Sequence, residues 1–230
     1  MSLRLLVIAL LLGPAAAAQG FLNFEKRVFK MGVNFVDVTP SPGLGVVPFP
    51  PLARPPKPTF NLGFAADFRL LRSPLTLRIG GQYQPRGYWL TTRANSRFFI
   101  GEPVRVNSSL HFLDLPVDLV LRLGGERTKF YASAGAYVGY GIYGRRTHRA
   151  DSAIFRSASD TASVVRLNAF APNGLKRLDY GLNVAVGFER NDFQFGITYG
   201  HGLANASNVP RQPLYHRSLG LFLAYRFDGM

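Results

Sequence analysis

SSLHFLDLPVDLVLRL (residues 108–123), GGER (124–127) and TKFYASAGAYVGYGIYG (128–144) form one continuous stretch. Two long alternating runs are joined by a very short turn. In the first, Leu113, Leu115, Val117, Leu119, Leu121 and Leu123 share a parity. Asp114, Pro116, Asp118 and Arg122 take the other. Successive side chains of a strand point to opposite faces, so one face is continuously apolar and the other carries charge. The second run repeats the pattern. Phe130, Ala132, Ala134, Ala136, Val138, Tyr140 and Ile142 oppose Tyr131, Ser133, Gly135, Tyr137, Gly139 and Gly141. A soluble sandwich would bury the apolar face against a second sheet, whereas a membrane barrel would turn it to lipid.

The same alternation recurs on both sides of this hairpin. It predicts strands over residues 27–38, 59–71, 75–88, 177–189, 193–200 and 214–227. With the central pair they make eight. Tight turns are expected at Arg72-Ser73-Pro74, at residues 124–127 and at Arg190-Asn191-Asp192. Long loops are expected at 39–58, which is dense in proline and glycine, and at 91–107, 144–176 and 201–213. Long and short connections therefore alternate. An all-β, antiparallel, up-and-down eight-stranded transmembrane barrel predicts this, with short periplasmic turns, long extracellular loops and both termini periplasmic.

A soluble eight-stranded barrel turns its apolar face inward instead. Here that would expose the other parity, which holds Lys30, Asp67, Arg69, Arg78, Asp114, Asp118, Arg122, Glu189 and Arg226. Both signs occur among them. They suit a packed lumen network, because eight strands leave an interior only wide enough for side chains. Aromatics fall at the strand ends. Tyr88, Trp89, Tyr140, Tyr143, Tyr199 and Tyr215 lie toward the loops, and Phe130, Phe188, Phe193, Tyr225 and Phe227 toward the turns. They suit two interfacial girdles.

Composition agrees. The chain has 230 residues, no cysteine and a formal net charge of +14. Residues 1–18 combine an early cation, Arg4, a short apolar run and a small-residue end, as a secretory signal peptide does. The barrel is then expected over 19–230, with cleavage after Ala18. An exported chain without disulfides must rely on hydrogen bonding and packing, and a closed barrel leaves no strand edge unpaired.

The chain resembles the outer-membrane β-barrel domain proteins of Bacteroidota-type bacteria, often described as porin-like. The resemblance rests on FNLGFAADFRL (60–70), FLDLPVDLVLRL (112–123), YASAGAYVGYGIYG (131–144), LDYGLNVAVGFE (178–189), FGITYGHGLANAS (195–207) and RSLGLFLAYRF (217–227). It implies location in the outer membrane of a Gram-negative bacterium. It also implies an acidic residue and proline in the fourth strand, matched by Asp114 and Pro116. Insertion by the barrel assembly machinery would use an aromatic signal near the end, matched by Tyr225 and Phe227.

Sites of chemistry are sparse. The four histidines, His111, His148, His201 and His216, have no metal-binding spacing, and no cofactor motif is present. His216 and Ser218 resemble the His-x-Ser of outer-membrane lipid A deacylases, but their parity points into the lumen. The cations are more informative. Arg54, Lys57, Arg86, Arg93, Arg97, Arg105, Arg145, Arg146, Arg149, Arg156, Arg166, Lys176 and Arg211 fall in or beside the expected loops, opposed there by Glu102, Asp151 and Asp160. Arg93, Arg97, Arg145, Arg146, Arg149 and Arg156 are the expected anion-facing set. Such loops suit lipopolysaccharide phosphates, outer-membrane lipid or other envelope proteins, or equally a merely solvated surface, and export argues against nucleic acid. The expectation is a non-enzymatic monomer acting in envelope structure or surface interaction. The alternatives are a barrel subunit of a secretion machine, similar to PorT of type IX secretion, and a lipid A-modifying enzyme.

Overall fold

Alternation at a period of two residues generates nearly all of the secondary structure. A computed structural model describes residues 22–40, 56–70, 74–96, 99–125, 127–150, 164–172, 174–208 and 213–228. Its strands are β1 (Leu22–Pro40), β2 (Lys57–Leu70), β3 (Leu75–Ser96), β4 (Phe99–Gly124), β5 (Thr128–Ala150), β6 (Val164–Asn168), β7 (Leu178–Arg190), β8 (Phe193–Gly202) and β9 (Leu214–Phe227). The expected signal segment and most of the proline-rich stretch lie outside the described residues.

All pairings are antiparallel. β1 to β5 pair in chain order, β5 pairs β7, and β7, β8 and β9 follow. β9 then returns to β1 from Arg27↔Phe227 to Pro40↔Leu214. Without β6, which touches only the far part of β5, eight strands close a ring. The expected parity holds around it. Leu115, Phe64 and Leu221 are 60%, 61% and 60% exposed, while Asp67, Val120 and Gln194 on the opposite parity are fully buried. The apolar face points out of the barrel.

One end of the ring carries the tight connections, the start of β1 and the end of β9. Between β7 and β8, Asn191 and Asp192 adopt φ of 48° and 68°. Positive φ at both central residues is the hairpin turn whose twist matches its strands, and Asn and Asp tolerate it.

The opposite end differs from the sequence expectation. The stretches 91–107 and 144–176 are expected as loops. Instead β3 runs to Ser96, β4 starts at Phe99, β5 continues to Ala150 and β6 pairs with it. β3 to β6 thus rise past the ring as a four-stranded flap on one side. The backbone ladder continues there without the apolar alternation that lipid contact writes into the ring. Strand β5 enters the flap through a bulge. His111 pairs Tyr143 and Phe112 pairs Gly141, so Ile142 is the extra residue. Ile142 and Tyr143 both face outward as a result.

Candidate functional site

The inward parity builds the lumen in storeys. Nearest the turn end, Asp67 is the hub. It accepts from Arg78 Nε at 2.7 Å and Nη2 at 3.0 Å, and from Arg122 Nη2 at 2.5 Å. Arg226 Nε stands 3.3 Å away. Glu189 accepts from Arg122 Nε at 3.0 Å, Gln194 Nε2 at 2.6 Å and Arg226 Nη1 at 2.7 Å. Arg226 Nη2 also donates to Glu25 at 3.2 Å. Arg78, Arg122 and Arg226 are therefore balanced by Asp67, Glu189 and Glu25. A buried charge is tolerable when it is paired and its hydrogen-bonding capacity is largely met. Every charge of this cluster is paired, and Arg226 Nε is the donor that faces Asp67 without a hydrogen bond. Val28, Val120, Tyr131, Ala185, Phe222 and Ala224 pack beside it as an apolar layer.

A second polar storey lies in mid-barrel. Arg86 Nη2 donates to Asp114 at 2.6 Å, and its Nε is 3.5 Å from Asp179. Asn183 bonds Asp118, and Tyr137 donates to Asp179 at 3.4 Å. A cavity of about 60 Å³ opens here, lined by Lys30, Asn34, Asn61, Arg86, Asp114 and His216 among others. Oxygens of Asn34, Asn61, Asp114 and Asn183 and both ring nitrogens of His216 have no protein partner there. Ordered water is the chemistry that satisfies such mixed donors and acceptors.

Above the cavity the lumen is stoppered. Val38, Tyr88, Leu110, Phe112, Ala169 and Leu175 form an apolar plug with Phe170 and Leu214. The segment after β6 folds back to supply it. Ala169 N donates to Gly144 O at 3.0 Å, and Gly141 N to Arg177 O at 2.7 Å. The Phe170 ring occupies the space that side chains at Gly141 and Gly144 would need. Arg177 covers that ring at 4.8 Å.

The site residues read from sequence divide accordingly. Asp67, Arg78, Asp114, Asp118, Arg122, Glu189 and Arg226 sit in the lumen. Lys30 is there but lies over the Phe222 ring, 4.8 Å from its centre. Arg69 is a correction. It has inward parity and is paired to both β1 and β3, but it stands at the open turn-end rim of the lumen, is exposed there, and takes no part in the network. Arg86 is another. It is expected with the loop cations and is instead 5% exposed inside the barrel. Tyr88 belongs to the plug and not to a girdle. Asp179, Gln194, Glu25 and Tyr137 were missed as a set, although all but Glu25 could be reached by parity. Glu25 sits at the β1 bulge, which breaks parity counting.

His216 is buried against Phe112, ring centres 6.0 Å apart, within the lumen. Among the described residues no group of His, Asp and Glu is placed to hold a metal. Tyr225 packs against Phe193 in a tilted pair at 4.8 Å and stacks on Phe227 at 6.1 Å at the turn end.

At the flap end, Arg145 and Arg166 are exposed, and Arg146 is half-buried. Arg93 and Arg149 lie on β3 and β5, with side chains outside the described set. Arg97 and Arg156 fall outside the described residues. Lys57 donates to Asn107 Oδ1 at 2.8 Å and Ser109 Oγ at 2.6 Å, tying β2 to the flap.

A family model described as an outer membrane protein beta-barrel domain matches residues 18–208. No curated protein matches the chain. Among solved structures it is similar to Ail, the attachment invasion locus protein of Yersinia pestis. That match has 13% identity and a TM-score of 0.40, covering 88% of this chain and 98% of Ail. Neisserial surface protein A matches at 9% identity and TM-score 0.43, covering 89% and 99%. The N-terminal β-barrel domain of Pseudomonas aeruginosa OprF matches at 10% identity and TM-score 0.31, covering 88% and 100%. At these scores the likenesses carry no functional argument.

Proposed function

The chain belongs to the outer membrane protein beta-barrel domain family, and on that premise we propose that it is a non-enzymatic, monomeric envelope protein. It acts through the basic surface of its flap end, which faces outward, with both termini periplasmic after removal of the 1–18 signal. It is a Bacteroidota-type member, inserted by the assembly machinery through Tyr225 and Phe227. The single observation that carries this reading is the contrast between its two charge sets. The lumen cations are matched by carboxylates and shut behind a plug. Arg145, Arg166 and Lys176 at the flap end are exposed. Matched charge holds the barrel closed, and unmatched surface charge is free to attract anions. Burial of His216 away from the lipid face supports the non-enzymatic reading.

The test is retention of the detergent-solubilised protein on immobilised lipopolysaccharide. Retention at low salt that is lost at high salt is expected, because exposed charge pairs are screened. Absence of retention would overturn the proposed anionic partner. Extraction in mild detergent as a large complex, and not as a barrel-sized monomer, would favour a secretion-machine subunit.

A further inference from the structure

Beside the β5 bulge, Ile142, Tyr143, Gly144, Arg145, Arg166, Leu167, Asn168 and Arg177 line a cavity of about 300 Å³ on the outer wall. Its charge is of one sign, with no carboxylate among the described lining residues. Its position is set by the bulge. Because Ile142 is extra, Tyr143 and Arg145 both face outward. The Arg145 guanidinium lies over the Tyr143 ring at 5.9 Å. β6 brings Arg166 opposite Thr147 and Leu167 opposite Arg146. Arg177 is held at the base by its bond to Gly141 O at 2.7 Å.

The height of this pocket on the barrel is informative. Ten residues separate Phe130, at the turn end, from Tyr140 on the same outward parity. At about 3.3 Å per residue and a tilt of about 40°, that spans about 25 Å, the height of a barrel's apolar band. Tyr140 then marks the upper edge of the hydrocarbon, and Tyr143 and Arg145 stand at headgroup level. Below the pocket the wall is continuously apolar through Tyr140, Val138, Leu178 and Tyr180, all about half exposed. A ligand filling both regions has an anionic head and an acyl body.

We propose that this pocket is a binding site for the phosphate headgroup of a membrane lipid, with the head between Arg145 and Arg166 and an acyl chain along Tyr140 and Leu178. The proposal rests on the outward orientation argued above and deepens it by naming the ligand class and the site. Guanidinium forks match phosphate oxygens in pairs, which a diffuse basic surface does not require.

Native mass spectrometry of the detergent-solubilised barrel tests it, with phosphatidic acid, phosphatidylcholine and inorganic phosphate as probes. Phosphatidic acid should bind at least about tenfold more tightly than phosphatidylcholine. Arg145→Gln with Arg166→Gln should remove about tenfold of that affinity. Arg105→Gln with Arg217→Gln, an equal loss of charge outside the pocket, should leave it unchanged. All four side chains are exposed, and their strands are held by backbone bonds, so the variants should fold and still shift on boiling. Equal losses in both double variants would overturn the site while leaving the basic-surface reading standing. No preference for phosphatidic acid would also overturn the site, and lipopolysaccharide retention would then judge the broader reading separately. Displacement of the lipid by millimolar inorganic phosphate would show that a free anion is the ligand, and would overturn the lipid assignment.

Discussion

Asp67 is the residue on which the lumen turns. Three guanidiniums converge on it and it is wholly buried. Asp67→Asn leaves those cations short of a counter-charge in a site closed to water. Breaking one side of a buried pair costs about 3–5 kcal/mol, so the urea midpoint of the barrel in lipid should fall sharply. Arg69→Gln, two positions away but exposed, should change stability by no more than about 0.5 kcal/mol in the same assay. Gly139→Ala tests crowding. Its Cβ would meet Asp114 Oδ1 and lie 3.1 Å from Arg86 Nη1. A loss of about 1–3 kcal/mol is expected from overpacking in such a site. Parity made Asp67, Arg78 and Arg122 legible in the sequence. Arg86 was not, because it falls near the loop end of the strand expected over 75–88 and so groups with the cations beside the loop, whereas β3 runs on to Ser96 and carries it inside the barrel. Nor did parity expose Arg69 as peripheral, since parity gives the face of a side chain and not its height in the lumen.

The flap shows where pattern reading stops among the elements. In the ring, lipid on one side and a packed lumen on the other write a period of two residues into every strand. β3 and β4 above Tyr88↔Ser108 keep their ladder through Ser96↔Phe99 without that pattern. Backbone bonds fix register there and leave no mark on side-chain chemistry. β6, only five residues long, pairs by the same means. Replacing Arg93–Pro103 by a two-residue Asn-Gly turn, which joins the paired Thr92 and Val104, should therefore spare the ring. The variant should retain the shift on boiling and a near-unchanged urea midpoint. Loss of the boiling shift would mean that the flap is part of the barrel's folding unit.

For the whole molecule, the lumen is interrupted at three levels: the Asp67 network, the apolar layer beside it, and the plug around Phe112 and Phe170. Eight strands leave no aqueous channel to begin with. Liposomes carrying the protein should show no swelling with small sugars, and swelling would contradict the closed lumen. The alternating apolar pattern told this architecture in advance, since strand number, orientation of the apolar face and the sealed interior are one inference. The plug was invisible, because Ala169, Phe170 and Leu175 come from an irregular segment and meet the lumen only after the chain doubles back.

The seam between β1 and β9 has a kinetic meaning. It joins the first and last strands of the ring, and the Arg226–Glu25 bond across it spans 201 positions of sequence. Contacts between such distant residues form late, because a long loop must be closed before they reward the chain. Arg226 arrives with that final strand and reaches Glu189, Glu25 and Asp67 together. Until it does, carboxylates in the lumen are under-compensated and two strand edges stand open to foreign pairing. The cluster thus acts as a latch that distinguishes a finished barrel from an unfinished one. An assembly intermediate whose β1–β9 seam is still open should be the species that proteases and misassembly find first.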